Sequence, residues 1–243
     1  MITNHSLDDI LFIDVETVPQ QPNFEELDDD FKNLWDKKSS FFREDEETPE
    51  DVYQRAGIYA EFGKIICISV GHFVLKEKKQ FRVTSFYGDD EKELLAKFIT
   101  VLESWSKNKK RQICGHNIKE FDVPYIARRI LINGLPLPQM LNVAGLKPWE
   151  VQFIDTLELW KFGDYKNYTS LELLTKIFNI PTPKDDIDGS QVASVYYDDK
   201  DLERIVTYCE KDVVATAQLF LRFRGEELIS EEDLIKISLS SSD

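Results

Sequence analysis

Residues 10–17 read Ile10-Leu11-Phe12-Ile13-Asp14-Val15-Glu16-Thr17, and this stretch sets the reading of the chain around it. Ile10–Val15 is a short apolar run of strand length that ends in acids, as a buried strand would. Residues i and i+2 of a strand project to the same side, so Asp14 and Glu16 converge while Val15 packs behind them. Two carboxylates brought together on a buried strand lose hydration and repel each other, which is costly unless a cation is present. A solvated strand end would use the same residues, so the pair alone leaves both readings open.

Downstream, Lys64–Leu75 is rich in β-branched residues and Gln80–Tyr87 alternates behind it, across the polar Lys76–Lys79 turn. Together they read as an antiparallel hairpin. Asp89–Ser106 opens with acids and carries Leu94, Leu95, Phe98, Ile99, Leu102 and Trp105 at helical spacing. Gln112–Cys114 is a brief strand after the basic Lys109-Lys110-Arg111, and Glu120–Ile132 is a helix. Tyr168–Phe178, Gln191–Tyr197 and Lys200–Arg224 read as three more helices. This order implies an α/β fold, a mixed β-sheet flanked by helices, in one domain over residues 1–225.

The chain has 243 residues and a formal charge of −15. That charge argues against a nucleic-acid partner, since such partners usually meet basic patches. Its distribution weakens the argument. Residues 20–62 carry −8, residues 226–243 carry −5 and residues 1–19 carry −4, whereas residues 63–225 carry +2. The segment 20–62 reads as a partly helical acidic insertion or lid, and Phe31, Trp35, Phe41 and Phe42 imply that it docks rather than dangles. It is also a candidate surface for a protein partner. Residues 226–243 read as an acidic C-terminal tail, frayed over Ser238–Asp243. No run is long enough for a membrane span and no leader pattern opens the chain. Cys67, Cys114 and Cys209 lack metal-like spacing and read as reduced, buried thiols of a cytoplasmic protein.

Two further acidic clusters follow the first. In Gly115-His116-Asn117-Ile118-Lys119-Glu120-Phe121-Asp122 a strand ends and a helix opens, with Asp122 in its first turn and Pro124 tolerated there. Helix capping by Asn117 or Asp122 is the competing reading. In Tyr208-Cys209-Glu210-Lys211-Asp212, Tyr208 and Asp212 lie one turn apart, roughly 40° around the axis, on one shoulder of an apolar stripe. A core-edge tyrosine and a surface aspartate would look the same.

The three clusters together, in this order and spacing, resemble the DEDD superfamily of 3′–5′ exonucleases in its tyrosine-containing branch. The closer similarity is to the proofreading exonuclease domain of family-B DNA polymerases and the stand-alone predicted exonucleases related to it. LFIDVETVP (11–19), GKIICISVG (63–71), GHNIKEFDVPYIARR (115–129), DTLELWKFGDYKNYTSLELL (155–174) and IVTYCEKDVVAT (205–216) carry the resemblance, which spans Leu11 to Phe220. It implies a ribonuclease-H-like fold and a free-standing nuclease, since the chain ends some way past its last helix.

The resemblance also implies the chemistry. Asp14, Glu16, Asp122 and Asp212 would ligate two divalent cations, Mg²⁺ or Mn²⁺, with Asp14 the bridge between them; hard cations prefer such oxygen donors. Tyr208 would orient the attacking water, because a phenol of pKa about 10 is a poor base at neutral pH. Thr17, Asn117 and Phe121 are expected near the terminal nucleotide. His116 reads as turn structure that can touch substrate, and Lys161, Lys166 and Tyr168 as contacts to backbone or base. Asp155 reads as structural. The expected substrate is the free 3′ end of nucleic acid, foremost single-stranded DNA. The alternatives are RNA trimming of the ribonuclease D kind and a catalytically weak nucleic-acid-binding module.

Overall fold

The structure is a computed structural model that describes residues 5–108, 110–164, 168–181 and 187–237. Six strands form one mixed sheet in the order β5-β4-β1-β2-β3-β6. The central strand β1 (Ile10–Pro19) runs antiparallel to β2 (Gly63–Leu75) and parallel to β4 (Gln112–Gly115). β3 (Lys79–Tyr87) completes the expected hairpin with β2. β5 (Ile154–Asp155) lies parallel to β4 and β6 (Leu234–Lys236) parallel to β3. β1 is longer than its apolar run, so Asp14 and Glu16 sit within the strand and not at its end.

Alternation along β1 divides two cores. Leu11, Ile13 and Val15 face α2 (Glu91–Ser106) and α3 (Asp122–Ile132), meeting Phe98, Leu102 and Ile126. Ile10 and Phe12 face α7 (Leu202–Arg224), meeting Val213, Ala217 and Phe220. Asp14 and Glu16 continue this second face. α7 lies close over the sheet: a Cβ on Gly71 of β2 would meet the Phe81 ring and stand 2.9 Å from Val213 Cγ1.

Among the described residues no helix is long and apolar enough to cross a membrane, and all three cysteines are free and buried.

The insertion has a core of its own. Its helix α1 (Asp29–Ser39) is capped by the Asp28 carboxylate, which accepts from Phe31 N at 2.8 Å. Trp35 is fully buried and donates to Pro49 O at 2.8 Å, with Phe31, Phe42, Tyr53 and Phe62 around it. Phe41 departs from expectation, standing 89% exposed. Within the acidic tail Leu234–Lys236 forms an edge strand, and Ile237 N donates to Val83 O at 2.8 Å. Residues 238–243 lie outside the described residues.

One buried ion pair ties these parts together. Arg129 of α3 donates Nε to Glu91 Oε1 at 2.9 Å and Nη2 to Oε2 at 2.5 Å, while its Nη1 reaches Ala60 O of the insertion at 2.9 Å. Glu91 also accepts from Ile65 N of β2 at 2.7 Å. Removing one partner strands a buried charge, so Arg129→Met should cost about 3 kcal/mol of stability in urea unfolding. A loss within experimental error would show that the pair contributes nothing.

Candidate active site

Three remaining short helices frame the open side of the sheet: α4 (Thr156–Lys161), α5 (Leu171–Ile177) and α6 (Val192–Ser194), the last running into a π-helical turn over Val195–Asp199. Between α5, the segment leading into α6, and α7 lies a cleft of about 1340 Å³. Its lining includes Asp14, Tyr208 and Asp212 together with His116, Tyr168 and Lys176.

The carboxylates reach this place by different routes. Asp14 and Glu16 share the α7 face of β1, and their ligand atoms lie within 4.8 Å of one another and of Cys209 Sγ. β4 pairs with β1 only as far as Phe12, which frees the edge of β1 beyond it. Asp122 occupies that opening: it is 4% exposed, and its carboxylate accepts from Val15 N–H and from its own N–H. Asp122 therefore does not cap α3, and neither does Asn117; no side chain does. Main-chain carbonyls serve that turn instead, with Asn117 O accepting from Phe121 N at 3.0 Å and Ile118 O from Val123 N at 3.0 Å. On α7 the Tyr208 hydroxyl donates to the Asp212 carboxylate one turn on.

The electrostatics follow from this crowding. Burial, then the charge of Asp212, then those of Glu16 and Asp122, push the Asp14 carboxyl well above the usual carboxylate range. Burial and Asp212 do the same to Glu16. Burial raises Asp122 to about 7. Burial and the neighbouring carboxylates drive the Tyr208 phenol far up, so it remains a hydroxyl at any physiological pH. A set of oxygen donors that repel one another and hold on to protons fits hard divalent cations well, because a bound cation reverses the sign of every one of these interactions.

The other expected residues are placed as follows. Thr17 lies beyond an irregularity in the β1–β2 register, and its hydroxyl is bonded to Tyr125, which donates to Gly57 O at 2.7 Å. Asn117 sits in the left-handed region at φ 63°, which asparagine tolerates. Phe121 packs at the edge of the α3-side core, its ring 5.4 Å from Tyr125.

His116 bridges two segments. Its Nε2 lies 3.0 Å from Thr169 O, a pure acceptor, so Nε2 carries a proton, and Nδ1 lies 2.9 Å from Thr156 Oγ1. Burial lowers its pKa. Lys161 lines a smaller hollow with Trp160 and Tyr168, and Tyr168 also lines the main cleft. Lys166 lies outside the described residues.

Asp155 is occupied by main chain. It accepts from Asn117 N at 3.0 Å, Lys119 N at 3.1 Å and Leu157 N at 2.9 Å. It thus caps α4 and fixes the turn that delivers Asp122. Asp155→Ala leaves these buried donors unpaired and should destabilise the protein by about 2 kcal/mol in chemical denaturation; an unchanged midpoint would assign the turn's order elsewhere. Sequence reading overlooked Cys209, which it took only as a reduced, buried thiol. The signal was its position between Tyr208 and Asp212, one residue round the helix toward the sheet.

Comparison with known proteins agrees with this architecture. The solved family-B DNA polymerase from the hyperthermophilic archaeon Pyrobaculum calidifontis superposes with a TM-score of 0.54 at 15% identity, over 88% of this chain and 24% of that one. At that identity the likeness is one of fold, and the fold is ribonuclease-H-like. No curated protein matches the chain by sequence. A family model, described as a predicted 3′–5′ exonuclease related to the exonuclease domain of PolB, matches residues 58–235. The match takes in Asp122, Tyr208 and Asp212, while Asp14 and Glu16 precede it. The chain belongs to this family of predicted 3′–5′ exonucleases related to the exonuclease domain of PolB.

Proposed function

We propose that the protein is a metal-dependent exonuclease that removes nucleotides from the 3′ end of single-stranded DNA. The observation that carries this reading is the crowding of four carboxylates, with Asp14 and Asp212 lining one open cleft and the charges of Asp212, Glu16 and Asp122 raising the proton affinity of Asp14. Two divalent cations held there would lower the pKa of an attacking water and stabilise charge on the leaving 3′ oxygen.

The chain's own residues do the rest. Asp14 and Glu16 project from a strand paired to β2 at both positions, so their separation is set by the β-pleat and not by loop motion. Asp122 is held by Val15 N–H, which locks the α3 side of the site to the same strand. Tyr208 keeps its proton and is anchored on Asp212, so its role is to orient a water by hydrogen bonding and not to remove a proton from it. Tyr168 is exposed at the cleft, where an aromatic face can stack a base, and Lys161 stands beside it for the backbone.

Tyr208→Phe should therefore slow trimming about 10²-fold with little change in cation requirement, the signature of lost positioning. An equally active Tyr208→Phe enzyme would remove the tyrosine from the mechanism. Matched DNA and RNA oligonucleotides of one sequence decide the substrate. Faster shortening of DNA is expected, and faster shortening of RNA would replace this reading with exoribonuclease activity, in which a 2′-OH is recognised.

A further inference from the structure

Behind the carboxylates runs a buried polar line that crosses the sheet. Cys209 Sγ on α7 lies 3.3 Å from Asp14 Oδ2 and packs against Cys67 of β2. Cys67 Sγ lies 3.7 Å from Ser69 Oγ, and Ser69 Oγ lies 2.8 Å from Ser85 Oγ of β3. Ser85 donates to Glu210 Oε1 at 3.1 Å, and the other oxygen of Glu210 meets Lys236 Nζ of β6 at 2.6 Å. Cys67, Ser69 and Cys209 are wholly buried, so no solvent relieves a mismatch along the line.

Each thiol and hydroxyl in this line has one proton to give. Glu210 accepts at its end, so the Ser85 proton is spent on Glu210. Ser69 must then donate to Ser85, and Cys67 to Ser69. Cys67 has no proton left for Cys209. The Cys209 proton therefore faces the Cys67 sulfur and two oxygens of Asp14, the main-chain carbonyl at 3.5 Å and carboxyl Oδ2 at 3.3 Å, of which Oδ2 is the nearer oxygen and a stronger acceptor than sulfur.

We propose that Cys209 is a positioning residue that orients the Asp14 carboxylate for cation binding, its own direction set by the polar line that starts at the Lys236–Glu210 pair. The proposal rests on the reading of Asp14 as a cation ligand. It also gives β6, the strand within the acidic tail, a role in supporting the site from the far edge of the sheet. A residue one step behind a ligand commonly changes metal affinity on the order of tenfold when its hydrogen bond is lost.

The test uses the full chain with Mn²⁺ as probe, titrated by calorimetry, in the wild type, Cys209→Ser and Cys209→Ala. Serine retains a donor and should bind Mn²⁺ within about twofold of wild type, while alanine should bind about tenfold more weakly. Wild-type affinity in Cys209→Ala would overturn the proposal, as would equal weakening in both variants, which would mean packing alone. A second readout needs no metal. The Cys209 S–H infrared stretch, identified by difference against Cys209→Ser, should move to higher frequency in Asp14→Asn, and an unmoved band would refute the hydrogen bond. If the wild type bound no Mn²⁺ while the band still moved, the cation reading would fall and the hold of the thiol on Asp14 would stand.

Discussion

Asp14→Asn should abolish 3′-end trimming, by on the order of 10³-fold or more, without destabilising the protein. A cation at a reacting phosphate supplies several kcal/mol of charge stabilisation, and each ~1.4 kcal/mol is a factor of ten in rate. Asp14 stands at the meeting point of the other three carboxylates and feels the charge of each of them. Its replacement therefore removes both a donor and the residue nearest to all the rest. The same substitution relieves repulsion in the cation-free protein, so its thermal midpoint should equal or exceed that of the wild type. Purified variants assayed on a 5′-labelled oligonucleotide, beside a melting curve, separate the two effects. Full activity in Asp14→Asn would sink the assignment, and a lowered midpoint would show that its lost activity reports unfolding.

The second large effect is a dependence of stability on pH that a cation abolishes. Asp14 and Glu16 sit well above the ordinary carboxylate range, and Asp122 at about 7, in each case chiefly through burial. A carboxyl that binds its proton more tightly in the folded state stabilises the fold at low pH. That contribution is complete below the unfolded value of about 4 and is lost as pH rises through the folded value. With chelator present, the protein should therefore lose stability from about pH 4 upward through pH 7. Asp122 alone would account for on the order of 4 kcal/mol across that window, at about 1.4 kcal/mol for each tenfold change in proton affinity. Millimolar Mn²⁺ should restore the lost stability above pH 7, because cation and proton compete for the same oxygens. Calorimetric scans at a series of pH values with chelator or Mn²⁺ measure this directly. A flat chelator curve would mean that the carboxylates do not interact as their placement requires.

Much of this arrangement was legible in the sequence because it depends on short-range periodicity. The two-residue repeat of β1 put Asp14 and Glu16 on one face, and the helical repeat of α7 put Tyr208 and Asp212 on one shoulder. The hairpin of β2 and β3 was equally plain from β-branched runs about a polar turn. What remained hidden depends on partners far apart in the chain. Leu234–Lys236 looks like part of an acidic tail because three residues carry little pattern, and only the free edge of β3 makes them a strand. The insertion was read as docking, yet nothing local says that Trp35, Tyr53 and Phe62 would close a core and leave Phe41 outside. Helix capping by Asn117 or Asp122 stays a competing reading in the sequence, because only the folded turn brings the carbonyls of Asn117 and Ile118 to serve it. Cys209 reads as one of three buried thiols, and its contact with Asp14 spans nearly the whole chain.

The most direct test of the central claim is a time course on single-stranded DNA labelled at its 5′ end, with Mg²⁺, Mn²⁺ or chelator. The account predicts a ladder of labelled products that shortens one nucleotide at a time from the 3′ end, with either cation and not with chelator. Release of labelled mononucleotide at the first time points, or equal shortening in chelator, would contradict it.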